Sequence, residues 1–484
     1  MNIDIVQFGI FICLTLLVGL ITYLKCRNQG RNASSNKEYF LAGGNLTWIY
    51  VAGSIMLTNI STEQIVGMNG AQSLLVAWWE IAAALGLIIL AKWLIPLYYK
   101  YNCTTTTELL EKRYNDKALR ATVSVLFLLG YLFILLPTVL YTGSLFMKSM
   151  FRVDLPIIFI AALFAVVGSI YAIFGGLRAI AISDTFNGIG LLVMGLLVTV
   201  LALAAVNFDL SGIPLDRMTL IGGNDSDIPW HTLFTGMIFI QIFYWGTNMV
   251  ITQRALAAKS VHEARKGIYA AVVMKCLTPF VVVLPGMIAY KLYGNVGDVA
   301  YGKLVGDILP SWLSGVFAAV MAGAVLSTFN STLNSAAALY VCDIHQKYFN
   351  PNACVKSVST KVSIVFAVIG IALVPVLQNA RSIIALLQQL NGLYSMPVLA
   401  AFLVAILFDQ VKPRAIMWSM LLGSGLYAIF TFAWTPLHYI HLMFITLLFT
   451  MVCSLILTKI VYGQSPRLRI AKGKKQSAYT AKTV

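Results

Sequence analysis

Between Ala324 and Ala336 the chain reads AVLSTFNSTLNSA, which places Ser327, Thr328, Asn330, Ser331, Thr332, Asn334 and Ser335 in under four helical turns. Hydroxyls at helical spacing commonly glue membrane helices together, but this cluster is denser than packing requires. A hard cation such as sodium needs oxygen ligands, as the hard alkaline-earth ions do. The Ser327 and Thr328 hydroxyls, joined by carbonyls exposed where a neighbouring helix breaks, could supply such a set. A second signal is the few ionisable residues inside apolar stretches: Glu63, Glu80, Asp184 and Lys275. Each costs roughly 2.5–3.5 kcal/mol at membrane depth and so needs a partner or a purpose. Glu80 and Lys275 can neutralise each other as a structural pair. With the amides of Gln64, Gln241 and Gln388 they also offer the mixed donors and acceptors that sugar hydroxyls require. On chemistry alone both readings stand.

The elements that must position these groups are membrane helices. Of 484 residues 59% are hydrophobic and 11% charged, with a mean hydropathy of +0.83. A soluble domain runs about 45–50% apolar and about 25% charged, so a soluble fold is excluded. Apolar runs near the roughly 20 residues that cross a bilayer predict thirteen spans, at 4–24, 46–70, 74–99, 119–147, 155–177, 180–206, 231–253, 267–290, 312–342, 362–380, 383–408, 415–436 and 439–458. With the N-terminus outside, 27 of the 34 Lys and Arg residues fall in cytoplasmic loops or toward the cytoplasmic ends of spans, six fall outside, and Lys275 remains within the seventh core span. The net charge of +16 is thereby a consequence of the positive-inside rule, and a nucleic-acid partner loses its support. The basic tail, Lys472 to Lys475, reads as solvated chain with anionic lipid as its one available partner. Seven cysteines form no CxxC pair, so neither a disulfide nor a metal site built on them is expected. The first apolar segment reads as a retained helix rather than a cleaved signal.

The spans divide into a leading helix with its loop (1–45), a ten-helix core (46–408), two trailing helices (409–463) and a tail (464–484). Irregularity concentrates in the core. Its first helix is interrupted by NISTEQ, Asn59 to Gln64, and its sixth carries Gln241 and YWGTN, Tyr244 to Asn248. Paired interruptions at equivalent places in two halves (46–206 and 231–408) are the mark of a 5+5 inverted repeat with a site at the membrane midplane. Unwound backbone at that depth is tolerated only where it lines a cavity or binds something. The expected fold is therefore all-α, integral to the membrane, with a LeuT-like core whose first and sixth helices are broken.

Glu38 to Gly70, Ile170 to Asp184, Tyr244 to Ser260, Pro279 to Gly286 and Leu326 to Ile344 together resemble the sodium:solute symporter family, in particular its sodium/sugar cotransporter branch. The resemblance implies a sodium site made by the carbonyls of Leu57, Ile60 and Ala324 with the hydroxyls of Ser327 and Thr328. It implies a second sodium position at Asp184, Asn330 and Ser331, where Asn330 replaces the usual hydroxyl, so one ion or two are both open. Gln64, Glu80, Gln241, Lys275 and Gln388 fall on the sugar-binding positions, and Tyr244 on the aromatic that caps the sugar. Gln241 and Ala83 depart from the galactose-type pattern of Asn and Ser, so the resemblance does not reach the particular sugar. The third core helix holds no arginine besides Arg120 at its cytoplasmic end, which disfavours a carboxylated solute.

The resulting expectation is a sodium-coupled symporter of a small neutral polyhydroxylated solute, such as a hexose. It would act as a monomer in the plasma (bacterial inner) membrane, with its C-terminus in the cytoplasm. Alternatives are proton coupling through Asp184 or Glu63, an inositol or other non-sugar solute, or a solute sensor on the same scaffold. An enzyme is not expected, because no HExxH, GxSxG or intramembrane His–Asp pairing occurs.

Overall fold

The computed structural model describes residues 4–26, 35–379 and 382–469. Arg27, Arg31 and Arg381 and the tail residues Lys472 to Lys475 and Lys482 lie outside the described residues, as do the side chains of Lys25 and Arg178. Helices overlap the expected spans, with 155–177 and 180–206 sharing one helix. In chain order they are α1 (Ile5–Cys26), α2 (Trp48–Asn59), α3 (Thr62–Ala71), α4 (Leu74–Lys100), α5 (Lys117–Phe151), α6 (Ile157–Ala205), α7 (Gly236–Gly246), α8 (Met249–Leu256), α9 (Val261–Lys275), α10 (Thr278–Tyr293), α11 (Ser311–Phe349), α12 (Val355–Gln378), α13 (Ile383–Leu407), α14 (Pro413–Phe432) and α15 (Tyr439–Tyr462). Among the described residues eight stretches are long and apolar enough to cross a membrane unaided, or nine with α9 and α10 taken together across their 48° bend. The other expected spans are short or broken. The broken ones, α2–α3 and α7–α8, are those that carry the polar runs.

Two of the predicted spans, 155–177 and 180–206, fall in the single 49-residue helical run α6. Gly168 lies against Phe329 and Asn330, while Asp184 hydrogen-bonds Ser327 only one turn away on α11. Sixteen residues of straight helix would separate Gly168 from Asp184 by about 24 Å. The run is therefore not one straight rod.

α11 is the hub of the bundle, packing on α1, α5, α6 and α12 and touching α2. Its far end is tied down by Asp343, which is fully buried. The Asp343 carboxylate accepts from Thr105 (3.0 Å), Ser124 (2.5 Å), Thr107 and Arg120 Nε (2.7 Å). Arg120 also pairs with Glu111, which Lys347 Nζ reaches at 2.8 Å. A buried carboxylate is stable only when its lone pairs are taken, and here four donors from two segments, the loop before α5 and α5 itself, take them. Arg120→Ala leaves Asp343 buried without its cation. The expected loss is about 3–5 kcal/mol, read as a lower melting temperature in detergent.

Candidate functional site

α2 and α3 meet at Ile60 and Ser61, where the chain leaves helical geometry. The cause is local. Asn, Ser and Thr side chains compete with the backbone for its own hydrogen bonds and favour helix ends over interiors. The Ser61 amide turns to the Asn59 carbonyl (2.8 Å) and the Gln64 amide to that of Ser61 (3.2 Å). The carbonyls of Leu57 and Ile60 thereby lose the donors that a continuous helix would give them four residues on. Thr328 Oγ1 approaches the neighbouring Thr58 carbonyl at 3.5 Å, which holds α11 against the break. Ala324 lies one turn before Thr328 in the unbroken part of α11, fully buried.

Asp184 is fully buried beside this break. One of its oxygens accepts from Ser327 at 2.5 Å and the other from Ser54 at 2.6 Å. Ser331 Oγ lies 3.4 Å from Thr58 Oγ1, and Asn330 Oδ1 is buried without a hydrogen-bond partner. The sequence resemblance assigns Ser327 and Asp184 to different ion positions, yet the two are directly bonded. The oxygen sets are thus one continuous polar patch between α2, α6 and α11.

The sixth core span breaks between α7 and α8. Asn248 stands at the start of α8 and accepts from the Val250 amide at 3.1 Å, and Tyr131 of α5 donates to the same oxygen at 2.6 Å. Tyr131 begins a π-helical turn, Tyr131–Leu135, of the kind often found at functional sites. α7 also approaches α4 closely at Gly86. A Cβ there would sit 2.5 Å from the Gln241 carbonyl oxygen and 2.6 Å from the Trp245 ring, so only glycine allows this crossing.

α2, α3, α4, α5, α7 and α13 enclose a cavity of about 50 Å³. Gln64, Gln241, Tyr244 and Gln388, all named from the sequence, line it. Gln241 donates to the Trp79 carbonyl (3.0 Å) and accepts from Trp245 Nε1 (2.9 Å), so its amide is fixed in orientation. Gln64 Oε1 is buried with no partner. Glu80 and Lys275 do form the expected ion pair, almost wholly buried. They do not line the cavity but stand behind it. Lys275 also bonds Asn59 Oδ1 and lies 5.1 Å from the Trp245 ring centre, so its charge reaches the cavity through those two residues. Asn59 in turn donates to Tyr244 OH at 3.4 Å. Sequence reasoning missed Asn59, Asn391 and Tyr394, all on the cavity wall. Asn391 was within reach of the helical period, three residues after Gln388 on α13. The unpaired buried oxygen of Glu63 belongs to the same wall.

The chain matches the model of the sodium:solute symporter family over residues 39–423. It is 36% identical to an uncharacterized symporter, YidK, of Escherichia coli, over 92% of this chain and 82% of that one. It is 31% identical to the sodium/glucose cotransporter of Vibrio parahaemolyticus, over 93% and 89% respectively. A solved Na+-coupled sialic acid symporter in a substrate-bound outward-open state superposes with a TM-score of 0.79, covering 94% of this chain and 98% of that one at 17% identity, which shows a shared fold. These relatives are transporters and not enzymes. With two broken helices crossing at a buried polar site, and a family model spanning most of its length, this chain is a multi-pass membrane transporter belonging to the sodium:solute symporter family.

Proposed function

We propose that the protein couples inward movement of sodium to uptake of a small neutral polyhydroxylated solute, a hexose or an inositol, by alternating access. The observation that carries this reading is the cavity wall. It presents four side-chain amides besides Asn59, one of them with an unpartnered oxygen, alongside Tyr244, Trp245 and Trp79. Amides that both donate and accept suit hydroxyls, and aromatic faces suit the apolar side of a sugar ring. Lys275 and Glu80 keep Asn59 and Trp245 in place, so a solute meets oriented dipoles rather than a bare charge. At about 50 Å³ the cavity is well below the roughly 300–1,000 Å³ of ligand clefts. Admission of a hexose therefore requires α7 or α13 to move, which is what alternating access supplies.

Sodium binds in this proposal at the freed carbonyls of Leu57 and Ile60, the Ala324 carbonyl, and the hydroxyls of Ser327 and Thr328. Asp184, Asn330 and Ser331 form the adjoining position for a second ion. Moving one charge through 100 mV is worth roughly 2.3 kcal/mol, to which the concentration gradient adds. The protein functions as a monomer with its N-terminus outside and its C-terminus in the cytoplasm.

Uptake of labelled hexoses and inositols into proteoliposomes, with sodium against choline outside, tests the proposal. Accumulation only with sodium is expected; accumulation indifferent to sodium, or driven equally by a pH jump, overturns it. The double change Ser327→Ala, Thr328→Ala is expected to raise the sodium concentration for half-maximal uptake at least about tenfold, equivalent to about 1.4 kcal/mol. An unchanged value removes both residues from the ion site.

A further inference from the structure

α1, α6 and α11 enclose a second cavity, of about 400 Å³, which shares no lining residue with the solute cavity. An apolar cavity of roughly 150 Å³ takes up benzene, and ligand clefts begin near about 300 Å³, so this one has room for a small organic molecule. Its outer wall is the leading helix, a segment outside the ten-helix core. Leu16 and Leu20 of that helix line the cavity and are themselves exposed on the perimeter of the bundle, where a bilayer places hydrocarbon. Val167, Ile180 and Leu326 continue the apolar lining. The way in is sideways, from the acyl chains, and it favours a ligand that is itself largely apolar.

The inner end has the opposite character. It holds the Asp184 carboxylate, fully buried, and the Asn330 amide, 3% exposed, whose Oδ1 has no hydrogen-bond partner. Ser54 and Ser327 donate to Asp184, but both are uncharged, and a carboxylate offers about four lone-pair sites, so acceptor capacity is left over. Arg254, whose charge lies in the field of Asp184, turns its guanidinium to the Val250 carbonyl of its own helix. No Lys, Arg or His lines the cavity. Its other polar hydrogens are spent: Thr15 donates to the Phe11 carbonyl (2.8 Å) and Asn187 to Ser183 (3.2 Å). What remains is negative charge and unpaired oxygen, which call for a positively charged N–H donor. A bare metal cation meets those acceptors but leaves the apolar chamber beside them unfilled. A protonated alkylamine satisfies both.

We propose that this cavity binds single-chain amphiphiles with a primary ammonium head, the ammonium donating to Asp184 and to Asn330 Oδ1 and the tail lying along α1. A primary ammonium carries three donors and accepts nothing, which matches an end wall that only accepts. Its occupation blocks the position proposed above for a second ion, so such amines inhibit the transporter from within the membrane. The leading helix thereby supplies one side of a ligand seat. The inference rests on the second-ion reading only for the competition with sodium.

The test uses the full chain in detergent, with potassium in place of sodium. Octylammonium bearing a diazirine in its tail is photolysed with the protein, and the labelled peptides are mapped by mass spectrometry. Labelling of α1 or α11 along the cavity is expected, and excess unlabelled octylammonium is expected to suppress it. The same tail on a carboxylate head is expected to leave those helices unlabelled. Equal labelling by both heads, or labelling only elsewhere on the bundle, overturns the proposal without need of a variant. Asp184→Asn is expected to lower labelling at least about tenfold, the scale of one hydrogen bond to a charged group. Ala319→Phe fills the chamber from α11, two turns before Ser327, and is expected to abolish labelling. Labelling that survives both changes overturns the site. Sodium is expected to displace the amine. Labelling that sodium leaves untouched and Asp184→Asn still removes upholds the amphiphile site and overturns the second-ion position instead.

Discussion

Lys275→Met is expected to abolish uptake and to lower stability by about 3–5 kcal/mol, the cost of leaving one member of a buried ion pair without the other. Glu80 is 1% exposed and Lys275 likewise, so neither can recruit water in compensation. The double change Lys275→Met, Glu80→Gln removes both charges and is expected to recover most of the melting temperature. It is not expected to recover uptake, because Asn59 and Trp245 lose the cation that orients them. The two readouts separate a structural pair from a site pair. If the double variant transports as wild type does, the pair is scaffold only; if the single variant melts as wild type does, the pair is not buried as described.

Asp184→Asn is the second large effect. A carboxylate about 4 Å from a sodium ion is worth up to about 4 kcal/mol at an effective dielectric of 20. The amide keeps one acceptor for Ser327 or Ser54 but brings a donor where an acceptor was, and it cancels the charge. The sodium concentration for half-maximal uptake is expected to rise at least about tenfold, with the solute affinity at saturating sodium changed far less. A Hill coefficient that falls from near two to near one identifies Asp184 with a second ion. A sodium dependence identical to wild type removes Asp184 from both positions.

The helical architecture was legible because membrane burial forces it. Apolar runs of fixed length and the sidedness of Lys and Arg are local in sequence, and among the described residues eight or nine of the predicted spans are helices long and apolar enough to cross a membrane. The break at Ile60–Ser61 was legible for the same reason, since NISTEQ is the wrong composition for helix interior in an apolar setting. The ion pair was legible in kind, because few charges lie within spans and they must find each other. Its place was not. Whether Lys275 faces the cavity or stands behind Asn59 depends on how α9 rotates against α2 and α4, and tertiary packing decides that. Asn59 itself sat inside a polar run already noticed, but its role depends on two partners, Tyr244 and Lys275, from distant helices. The hydrogen bond between His231, in the turn before α7, and His441, in the first turn of α15, had no local signal at all, since only the crossing of those two helices joins them.

In the first core span, two short rods are joined by two residues, and the join lacks the internal bonding that makes a helix stiff. On the proposed reading, an ion seated there acts as a splint, tying together backbone oxygens and neighbouring hydroxyls that otherwise hold one another loosely. Rigidity at that point becomes a function of salt composition on whichever side the join faces. The difference in sodium across the bilayer is then read out as a difference in local order over a few residues, and exchange of their amide hydrogens should slow as sodium is added, before any solute is present.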